Sequence, residues 1–299
     1  MARMEMGPPP YYRDPALLLD WDSSWTPDVS TFGSAGSVLW KWVGGVLAPN
    51  GKIYGIPRSA STILEIDPET RTTSTFGSLS GSAFGGVLAP NGKIYGIPYD
   101  ATTIFEIDPE TRTTSTFGSL PGSDKWYGGV LAPNGKIYGI PANATTILEI
   151  DPETRTTSTF GSLSGSTKWY GGVLAPNGKI YGIPRSASTV LEIDPETRTA
   201  STFGSLDGSV KWVGGVLAPN GKIYGIPQNA STILEIDPET QTASTFGSAG
   251  TAQYKWNGGV LAPNGKIYGI PLNASTILEI GTESPQTLEK VLAPELNKF

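Results

Sequence analysis

One block of sequence is repeated six times along this chain, and the repetition limits the possible folds more than any other feature. The block GGVLAPNGKIYGIP begins at Gly44, Gly85, Gly128, Gly171, Gly214 and Gly258. Each copy continues into a variant of ATTILEIDPETRTTSTFG, except that the sixth copy lacks the STFG ending. Intervals of 41 to 44 residues between copies are typical of propeller blades built from several short strands.

Within the copy at 128–161, four short runs lie between turn residues, and none has the spacing of a helix. The runs are 128–133, 136–141, 146–150 and 155–161. The third run is apolar on both faces, as expected of a strand buried between stacked sheets. The fourth is rich in threonine and serine, which suits an outer strand that faces water. We therefore predict four antiparallel strands per blade, with the first strand lining a central channel.

The two ends of the repeat array suggest how the ring closes. The sixth copy lacks STFG, and the same four residues occur alone at 30–33, upstream of the first copy. We therefore predict an all-β, six-bladed β-propeller in which an N-terminal strand at 28–33 completes the last blade, because an unclosed ring would leave unpaired sheet edges. The predicted domains are an extended arm at 1–27, the propeller at 28–280 and a C-terminal tail at 281–299.

A seventh blade is the alternative, because VLAP recurs at 291–294. The interval from Val260 to Val291 is 31 residues, which is too short for another blade of this type. The same stretch has the pattern of a short helix, with Ser284 as cap and Pro285 in the first turn. A short helical tail is the preferred interpretation.

Composition narrows the possible functions. The chain of 299 residues has no cysteine and no histidine, which excludes disulfides and thiolate or imidazole metal ligands. The net charge of −6 does not favour nucleic acid as a partner. No apolar stretch approaches the length of a membrane span, and the N-terminus lacks the apolar region of a signal peptide. We expect neither a cofactor nor a metal, and the composition leaves the cellular compartment open.

The repeated motifs PNGKIYGIP and TILEIDPETRT resemble the signatures of the broad YVTN, NHL and SMP-30-like propeller superfamily. The resemblance covers residues 44–280 and implies a blade type. Some members of that superfamily are lactonases that hold a divalent metal over the channel with Glu, Asn and Asp from different blades. The near-uniform copies of this chain show no corresponding acidic or amide insertion in a single blade.

Uniform blades argue against catalysis, because an active site needs neighbouring groups with different roles. The recurrent acidic residues also have structural explanations. Glu149 and its equivalents lie in the third strand, whereas Asp151 and Glu153 lie in a turn that favours Asp-Pro. The sequence therefore predicts a protein that is not an enzyme.

Differences between copies indicate where binding would occur. The APNGK and DPET turns are almost invariant, whereas the two residues after GIP and the linkers between blades vary. In an up-and-down blade these variable segments emerge on one face, opposite the constant turns. Variation is thus confined to one side of the disc, either because that side binds a partner or because its loops tolerate change.

A lysine–tryptophan pair recurs on the variable side. The pairs are Lys41-Trp42, Lys125-Trp126, Lys168-Trp169, Lys211-Trp212 and Lys255-Trp256, with Ala83-Phe84 in the second copy. Aromatic rings beside ammonium groups can stack on sugars or anchor a partner surface. The same rings can instead wedge between blades with each lysine in solvent, which is the interpretation we favour. Solvated lysines could still form a positive collar around the channel mouth.

Two further groups of residues are candidates for interaction. Tyr11, Tyr12, Trp21 and Trp25 in the N-terminal arm are candidate partner contacts. Asn143, Asn229 and Asn273 begin glycosylation sequons, although asparagine is also a favoured turn residue at these positions.

The resulting hypothesis is a non-enzymatic propeller that acts as a protein-interaction or structural subunit of a larger assembly. A multivalent carbohydrate-binding lectin is the alternative, and a metal-dependent hydrolase of the SMP-30-like type ranks below both.

Overall fold

Short strands separated by turns account for the regular structure of residues 31–34, 37 and 39–282, which are the residues that the computed structural model describes. The first three blades contain β1 (Trp42–Leu47), β2 (Ile53–Pro57), β3 (Ile63–Asp67), β4 (Thr72–Phe76), β5 (Ala83–Leu88), β6 (Ile94–Pro98), β7 (Ile104–Asp108), β8 (Thr113–Phe117), β9 (Trp126–Leu131), β10 (Ile137–Pro141), β11 (Ile147–Asp151) and β12 (Thr156–Phe160). The last three contain β13 (Trp169–Leu174), β14 (Ile180–Pro184), β15 (Val190–Asp194), β16 (Thr199–Phe203), β17 (Trp212–Leu217), β18 (Ile223–Pro227), β19 (Ile233–Asp237), β20 (Thr242–Phe246), β21 (Trp256–Leu261), β22 (Ile267–Pro271) and β23 (Leu278–Ile280).

Consecutive strands pair antiparallel in six separate sheets. Five sheets have four strands each, and the sixth has the three strands β21, β22 and β23. These sheets are the blades of an all-β, six-bladed β-propeller, which confirms the predicted fold. In each blade, the turns after the first and third strands lie on one side, which we call the constant face. The opposite side, with the loops after the second and fourth strands, is the variable face.

The hydrophobic core lies between neighbouring blades. Ile140 and Ile147 of the third blade pack in one buried cluster with Trp169 and Ile180 of the fourth. Strand β11 alternates across its sheet, yet Ile147, Leu148 and Ile150 are all fully buried because both of its faces are covered. At roughly 25 cal/mol per Å² of buried apolar surface, these interfaces supply most of the favourable free energy of folding. A single blade could not bury both faces alone.

Glycines allow the inner strands to approach each other around the channel. Gly171 has a φ of 86°, and a Cβ at this position would lie 3.2 Å from the Cα of Gly214 in the next blade. The second glycine of the pair is also closely packed, since a Cβ on Gly172 would lie 2.6 Å from Cδ1 of Ile140 in the preceding blade. Packing between blades therefore requires both glycines at 171–172, whereas the space around the equivalent pairs differs from copy to copy.

The first and sixth blades each have extensive contact with a neighbour on one side only among the described residues. The inner strands contact one another in the series β1, β5, β9, β13, β17 and β21. A Cβ on Gly258, in the last of these strands, would meet nothing within 4 Å. Ile270 of the sixth blade is 50% exposed, whereas its equivalent Ile226 is fully buried. An apolar sheet face of the sixth blade is thus uncovered by the described part of the chain.

The predicted closing strand lies mostly outside the described residues. The chain divides into two compact units, Met1–Gly33 and Ser34–Phe299, and only 31–33 of the first are described. These three residues are exposed and form no strand. Closure by 28–33 therefore stays a prediction, as does the helical tail, most of which lies beyond Thr282.

A disulfide tests this closure directly. In the fifth blade Ile233 pairs with Phe246, so the same register would place Phe32 opposite Ile277. Cross-strand partners have Cβ atoms about 5 Å apart, close enough for a disulfide after small adjustment. We expect the Phe32→Cys/Ile277→Cys variant to form an intramolecular disulfide on mild oxidation, detected by peptide mass mapping. The natural chain has no cysteine, so the Phe32→Cys/Val260→Cys pair is a clean control. Equal cross-linking of both pairs would contradict the predicted register.

Candidate functional site

A buried carboxylate occupies the middle of the third strand in each of the first four blades. Glu149 is 5% exposed. Its Oε1 accepts hydrogen bonds from Lys136 Nζ at 3.0 Å and Ser158 Oγ at 3.2 Å. Its Oε2 accepts from Tyr138 Oη at 3.3 Å and from Arg198 Nε of the next blade at 3.1 Å. The carboxylate therefore joins three strands of its own blade to the turn that precedes the outer strand of the following one.

The same arrangement recurs around the constant face, and we call it the carboxylate ladder. Its members are Glu65 with Lys52 and Arg112, Glu106 with Lys93 and Arg155, Glu149 with Lys136 and Arg198, and Glu192 with Lys179 and Gln241. Glu235 keeps its lysine at 2.6 Å, but its side chain is 24% exposed and no described residue of the sixth blade supplies the arginine position. Recurrent acidic residues thus connect adjacent blades.

The ladder changes the acidity of its carboxyl groups. Burial alone would raise the pKa of Glu149, but the hydrogen bond from Lys136 and the charges of Lys136 and Arg198 together hold it below its ordinary value. The pKa of Glu106 is lowered in the same way by Lys93 and Arg155. A carboxyl group with a lowered pKa in the folded state stabilises that state above its unfolded pKa, and the contribution is lost as the pH falls.

An acid titration measures this contribution. We expect the difference in unfolding free energy between the natural protein and Glu149→Gln to be full above pH ~5, and to shrink as the pH falls below the unfolded glutamate pKa of about 4.3. Urea denaturation at several pH values between 6 and 3 would measure it. A difference that stays constant over this range would contradict the coupling.

Tyrosine and asparagine side chains reinforce the same contact between blades. Asn134 Nδ2 donates to Tyr138 Oη at 3.0 Å and lies 3.3 Å from the carbonyl oxygen of Pro195 in the next blade. Burial raises the pKa of Tyr138 to about 12, so the phenol stays protonated at neutral pH. The invariant PNGK and DPET turns are therefore complementary surfaces of neighbouring blades.

The predicted lysine–tryptophan pairs lie in the seams between blades on the variable face. Lys168 is 2% exposed. Its Nζ donates to the carbonyl oxygens of Ala142, Ala144 and Gly165 at 3.0, 2.8 and 3.0 Å. Burial lowers the pKa of this ammonium to about 8. The ring of Trp169 is also buried, and its Nε1 donates to the carbonyl oxygen of Thr189 at 2.8 Å. Lys168 thus anchors the linker to the preceding blade.

The other pairs follow this pattern to different degrees. Lys125, Lys211 and Lys255 are buried and bind backbone carbonyls, and Trp126, Trp212 and Trp256 are buried beside them. Lys41 and Trp42 are half-buried, with the ammonium 5.7 Å from the ring centroid. This geometry is that of wedges between blades. The suggested binding role of these ten residues stays a prediction.

Residues of different types from several blades meet on the variable face, where the inner strands begin. We call this group the mouth cluster. It consists of Trp40, Arg58, Phe84, Tyr99, Tyr127, Tyr170 and Arg185. The ring of Tyr127 stacks on Tyr170 at 4.1 Å and contacts Phe84 at 4.7 Å between centroids. A chain of touching aromatic rings thus crosses three blades.

Two guanidinium groups flank these rings. The Arg58 guanidinium lies 4.7 Å from the centroid of Trp40 and 4.8 Å from that of Phe84. The Arg185 guanidinium lies 4.5 Å from the centroid of Tyr170. Such stacked arginines leave their N–H edges available for carboxylate or phosphate groups. The cluster is therefore suited to holding an anionic group against an aromatic surface.

Tyr99 and Tyr127 of the mouth cluster are neutral at physiological pH. Burial is the main cause that raises the pKa of Tyr99, and hydrogen bonding with Asp124 and Tyr170 raises it further. Burial also raises the pKa of Tyr127, although the charges of Arg58 and Arg185 oppose the shift. The positive charge at the mouth thus comes from the arginines.

Sequence reasoning identified only part of this cluster. It marked Arg58, Tyr99 and Arg185 as variable positions after GIP. It did not connect them with Phe84 and its equivalents immediately before each Gly-Gly. That position reads Val43, Phe84, Tyr127, Tyr170, Val213 and Asn257 along the six copies. This variation before an invariant Gly-Gly was the available signal.

The remaining sequence candidates have different outcomes. Tyr11, Tyr12, Trp21 and Trp25 lie outside the described residues. Asn143 Oδ1 accepts a hydrogen bond from Thr167 N at 2.6 Å, and Asn229 Oδ1 accepts one from Tyr254 N at 2.7 Å, so both amides act in loop packing. The third sequon asparagine, Asn273, is exposed.

Residues 31–34, 37 and 39–282 lack two features that would indicate a metal site or a membrane span. They contain no group of three or more acidic residues placed to hold a metal ion. They also contain no helix long and apolar enough to cross a membrane.

Fold and site together define a β-propeller with one structurally uniform face and one face that carries a cluster of unlike residues. The chain matches the family described as "Repeat of unknown function (DUF6923)" over residues 133–294, more than half of its length. It belongs to this family. A search of the curated proteins finds no significant match in sequence.

Solved structures share the fold. A catalytically inactive virginiamycin B lyase from Staphylococcus aureus, determined with quinupristin, is similar with a TM-score of 0.67 and 14% identity, over 82% of this chain and 85% of that chain. Kuenenia stuttgartiensis hydrazine synthase has a TM-score of 0.64 and 13% identity, over 88% and 84% of the two chains. The extracellular domain of BT4673 from B. thetaiotaomicron has a TM-score of 0.65 and 12% identity, over 85% of this chain and 36% of that chain. These likenesses confirm the propeller resemblance and extend to the fold alone, which serves enzymes and other proteins.

Proposed function

We propose that the protein is a non-catalytic interaction module whose mouth cluster contacts an acidic segment of a partner protein within a larger assembly. The observation that carries this proposal is the placement of Arg58 and Arg185 against a continuous row of aromatic rings. Aromatic and arginine side chains are the residues that most often dominate binding energy at protein interfaces.

The structural contacts that the recurrent ionisable groups make with one another and with the backbone support a non-catalytic role. The glutamates and lysines of the carboxylate ladder bind one another, and the seam lysines bind carbonyl oxygens. Each set performs the same structural task in successive blades. Acid–base catalysis would instead require neighbouring groups held in different protonation states for different roles.

A carbohydrate ligand is less well supported at the mouth. Sugars stack on the open face of an aromatic ring, but Tyr127 has Tyr170 on one side and Phe84 on the other, at 4.1 and 4.7 Å between centroids. The repeated tryptophans that would give a lectin several equivalent sites are buried in four of the five pairs.

Peptide binding tests the proposal. The probes are fluorescein-labelled hexaglutamate and hexalysine, followed by fluorescence anisotropy. We expect saturable binding of hexaglutamate only, weakened at least about tenfold by the Arg58→Gln/Arg185→Gln substitutions because each loses a charge-assisted hydrogen bond. Glutamine is the residue that the fifth copy carries at the position of Arg58, namely Gln228, so the blade accommodates it.

The chain offers a control with the same loss of charge. Arg112→Gln/Arg155→Gln removes two arginines from the opposite face, where the fifth copy already has Gln241. Hexaglutamate binding should be unchanged in this control. Equal weakening in both double variants, or no saturable binding, would contradict the mouth as the contact site. Binding of a glycan panel that is lost in the mouth variant would favour the carbohydrate alternative.

A further inference from the structure

An ammonium group fills the seam between most neighbouring blades on the variable face. In the seam between the second and third blades, Lys125 Nζ donates to the carbonyl oxygens of Tyr99, Ala101 and Gly122 at 3.1, 2.9 and 2.7 Å. Lys168, Lys211 and Lys255 occupy the next three seams. Each seam ammonium binds the carbonyl oxygen of the alanine that lies three residues after the GIP proline of the preceding blade. Three of the four also bind the carbonyl oxygen of the residue directly after that proline.

The seam between the first and second blades has no such lysine. The linker at 77–84 has eight residues, whereas the linker at 118–127 has ten. Ser82 and Ala83 stand where the other linkers have lysine and tryptophan, since the Ser82 carbonyl accepts the same backbone hydrogen bonds as that of Lys125. The alignment of Ala83-Phe84 with the lysine–tryptophan pair is therefore wrong by one residue. A cavity of about 600 Å³ opens at this seam, lined on one side by Arg58, Ser59 and Ala60 and on the other by residues from Leu79 to Ser82 and Asp100. The shortened linker thus leaves a pocket.

The acceptors of the missing ammonium remain in place. The carbonyl groups of Arg58 and Ala60 correspond to those of Tyr99 and Ala101, which bind Lys125. Among the described residues, no backbone N–H outside the strands donates to either carbonyl oxygen. The carboxylate of Asp100 borders the pocket, where its Oδ2 accepts from Ser82 Oγ at 2.8 Å. Two carbonyl oxygens and one carboxylate make a site for a cation that carries several N–H groups.

We propose that this pocket binds a primary ammonium on an unbranched alkyl chain, either a free diamine or a lysine side chain. The four lysine-filled seams show the geometry in which this scaffold holds an ammonium, and a cavity of about 600 Å³ has room for the attached chain. The Arg58 guanidinium stacks on Trp40 and Phe84. The backbone carbonyl of Arg58 therefore remains available to the pocket. The pocket and the mouth share Arg58 but use different groups of it, since the pocket takes a cation through the backbone carbonyl and the mouth is proposed to take an anion through the guanidinium.

Calorimetric titration of the full chain with pentane-1,5-diamine tests the proposal. We expect saturable one-to-one binding at pH 7 and none with 1-pentanol, which has the chain without the ammonium. Tetramethylammonium should not bind, because it carries charge but no N–H donor. Nα-acetyl-lysine methylamide, titrated in parallel, distinguishes the sources, since the tighter ligand identifies a diamine or a lysine side chain. Failure of both amines to bind would overturn the proposal.

A linker exchange provides the matched control. Residues 77–84 are replaced by GSLPGSDKWF, which copies the linker at 118–126 and retains the phenylalanine of the mouth cluster. This variant fills the pocket from within, so it should lose amine binding by at least about tenfold and melt at a higher temperature than the natural chain. Undiminished amine binding would place the site elsewhere. Hexaglutamate binding should be unaffected, so failure here is distinguishable from failure of the mouth proposal.

The reverse experiment creates the pocket in another seam. Lys168→Ala removes an ammonium that binds three carbonyl oxygens. We expect this variant to melt at a lower temperature, with partial recovery on addition of butylammonium and none with butanol. If Lys168→Ala does not fold, the linker exchange alone decides. Recovery by both additives equally would contradict recognition of the ammonium.

Discussion

Replacing Gly171 with alanine should lower the free energy of unfolding by about 3 kcal/mol, since a left-handed conformation and a steric clash both act on the new Cβ. Gly171 has a φ of 86°, and the added atom would lie 3.2 Å from Cα and 3.5 Å from N of Gly214. Both contacts are with backbone of the next blade, which cannot turn aside as a side chain can. Urea denaturation would measure the loss.

Gly178 in the same blade separates the two causes. Its φ of 79° is similar, but a Cβ there would meet nothing within 4 Å. Gly178→Ala should therefore cost only the backbone term, about 1 kcal/mol. Equal costs for the two substitutions would show that the close approach of the inner strands does not limit this position.

Removal of one ladder carboxylate is expected to have the second largest effect. Glu149→Ala should cost about 2 kcal/mol, because a buried acceptor of charged hydrogen bonds is lost. The cost stays below that of a fully buried ion pair, because Lys136 and Arg198 are 33% and 47% exposed and regain water.

Glu235 is the internal control for this substitution. It pairs with Lys222 at 2.6 Å but has no arginine partner from the described part of the following blade. Glu235→Ala should cost about 1 kcal/mol or less. A double-mutant cycle between Glu149 and Arg198 would isolate the contact between blades, and a coupling energy near zero would contradict the role assigned to the ladder.

The blade could be predicted from the sequence because its signals are local and are repeated in every copy. The Pro-Asn-Gly turn, the apolar run at Ile147 and the threonine-rich outer strand each have a known structural preference. The four strands of the third blade lie within two residues of the predicted runs. Because the block is repeated six times, the number of blades could also be predicted by counting the copies.

The mouth cluster and the empty seam could not be predicted in the same way, because both arise where copies differ. The contact between Tyr127 and Tyr170 joins residues 43 positions apart, and it depends on the rotation from one blade to the next. The ammonium sites depend on carbonyl groups, which leave no mark in the residue types. Lys125 therefore read as a surface residue, although it is buried.

The uncovered sheet face beside Ile270 has a consequence for the order in which this array comes apart. If residues 28–33 do not close the ring, the blades form a linear stack. Each module is then held by its own folding energy and by its interfaces with neighbours, so terminal modules are held by one interface and interior modules by two. Backbone amides of β10 and β14 should exchange with deuterium most slowly, and those of β22 should exchange first. Proteolytic trimming of the array would then start at the sixth module and proceed inward.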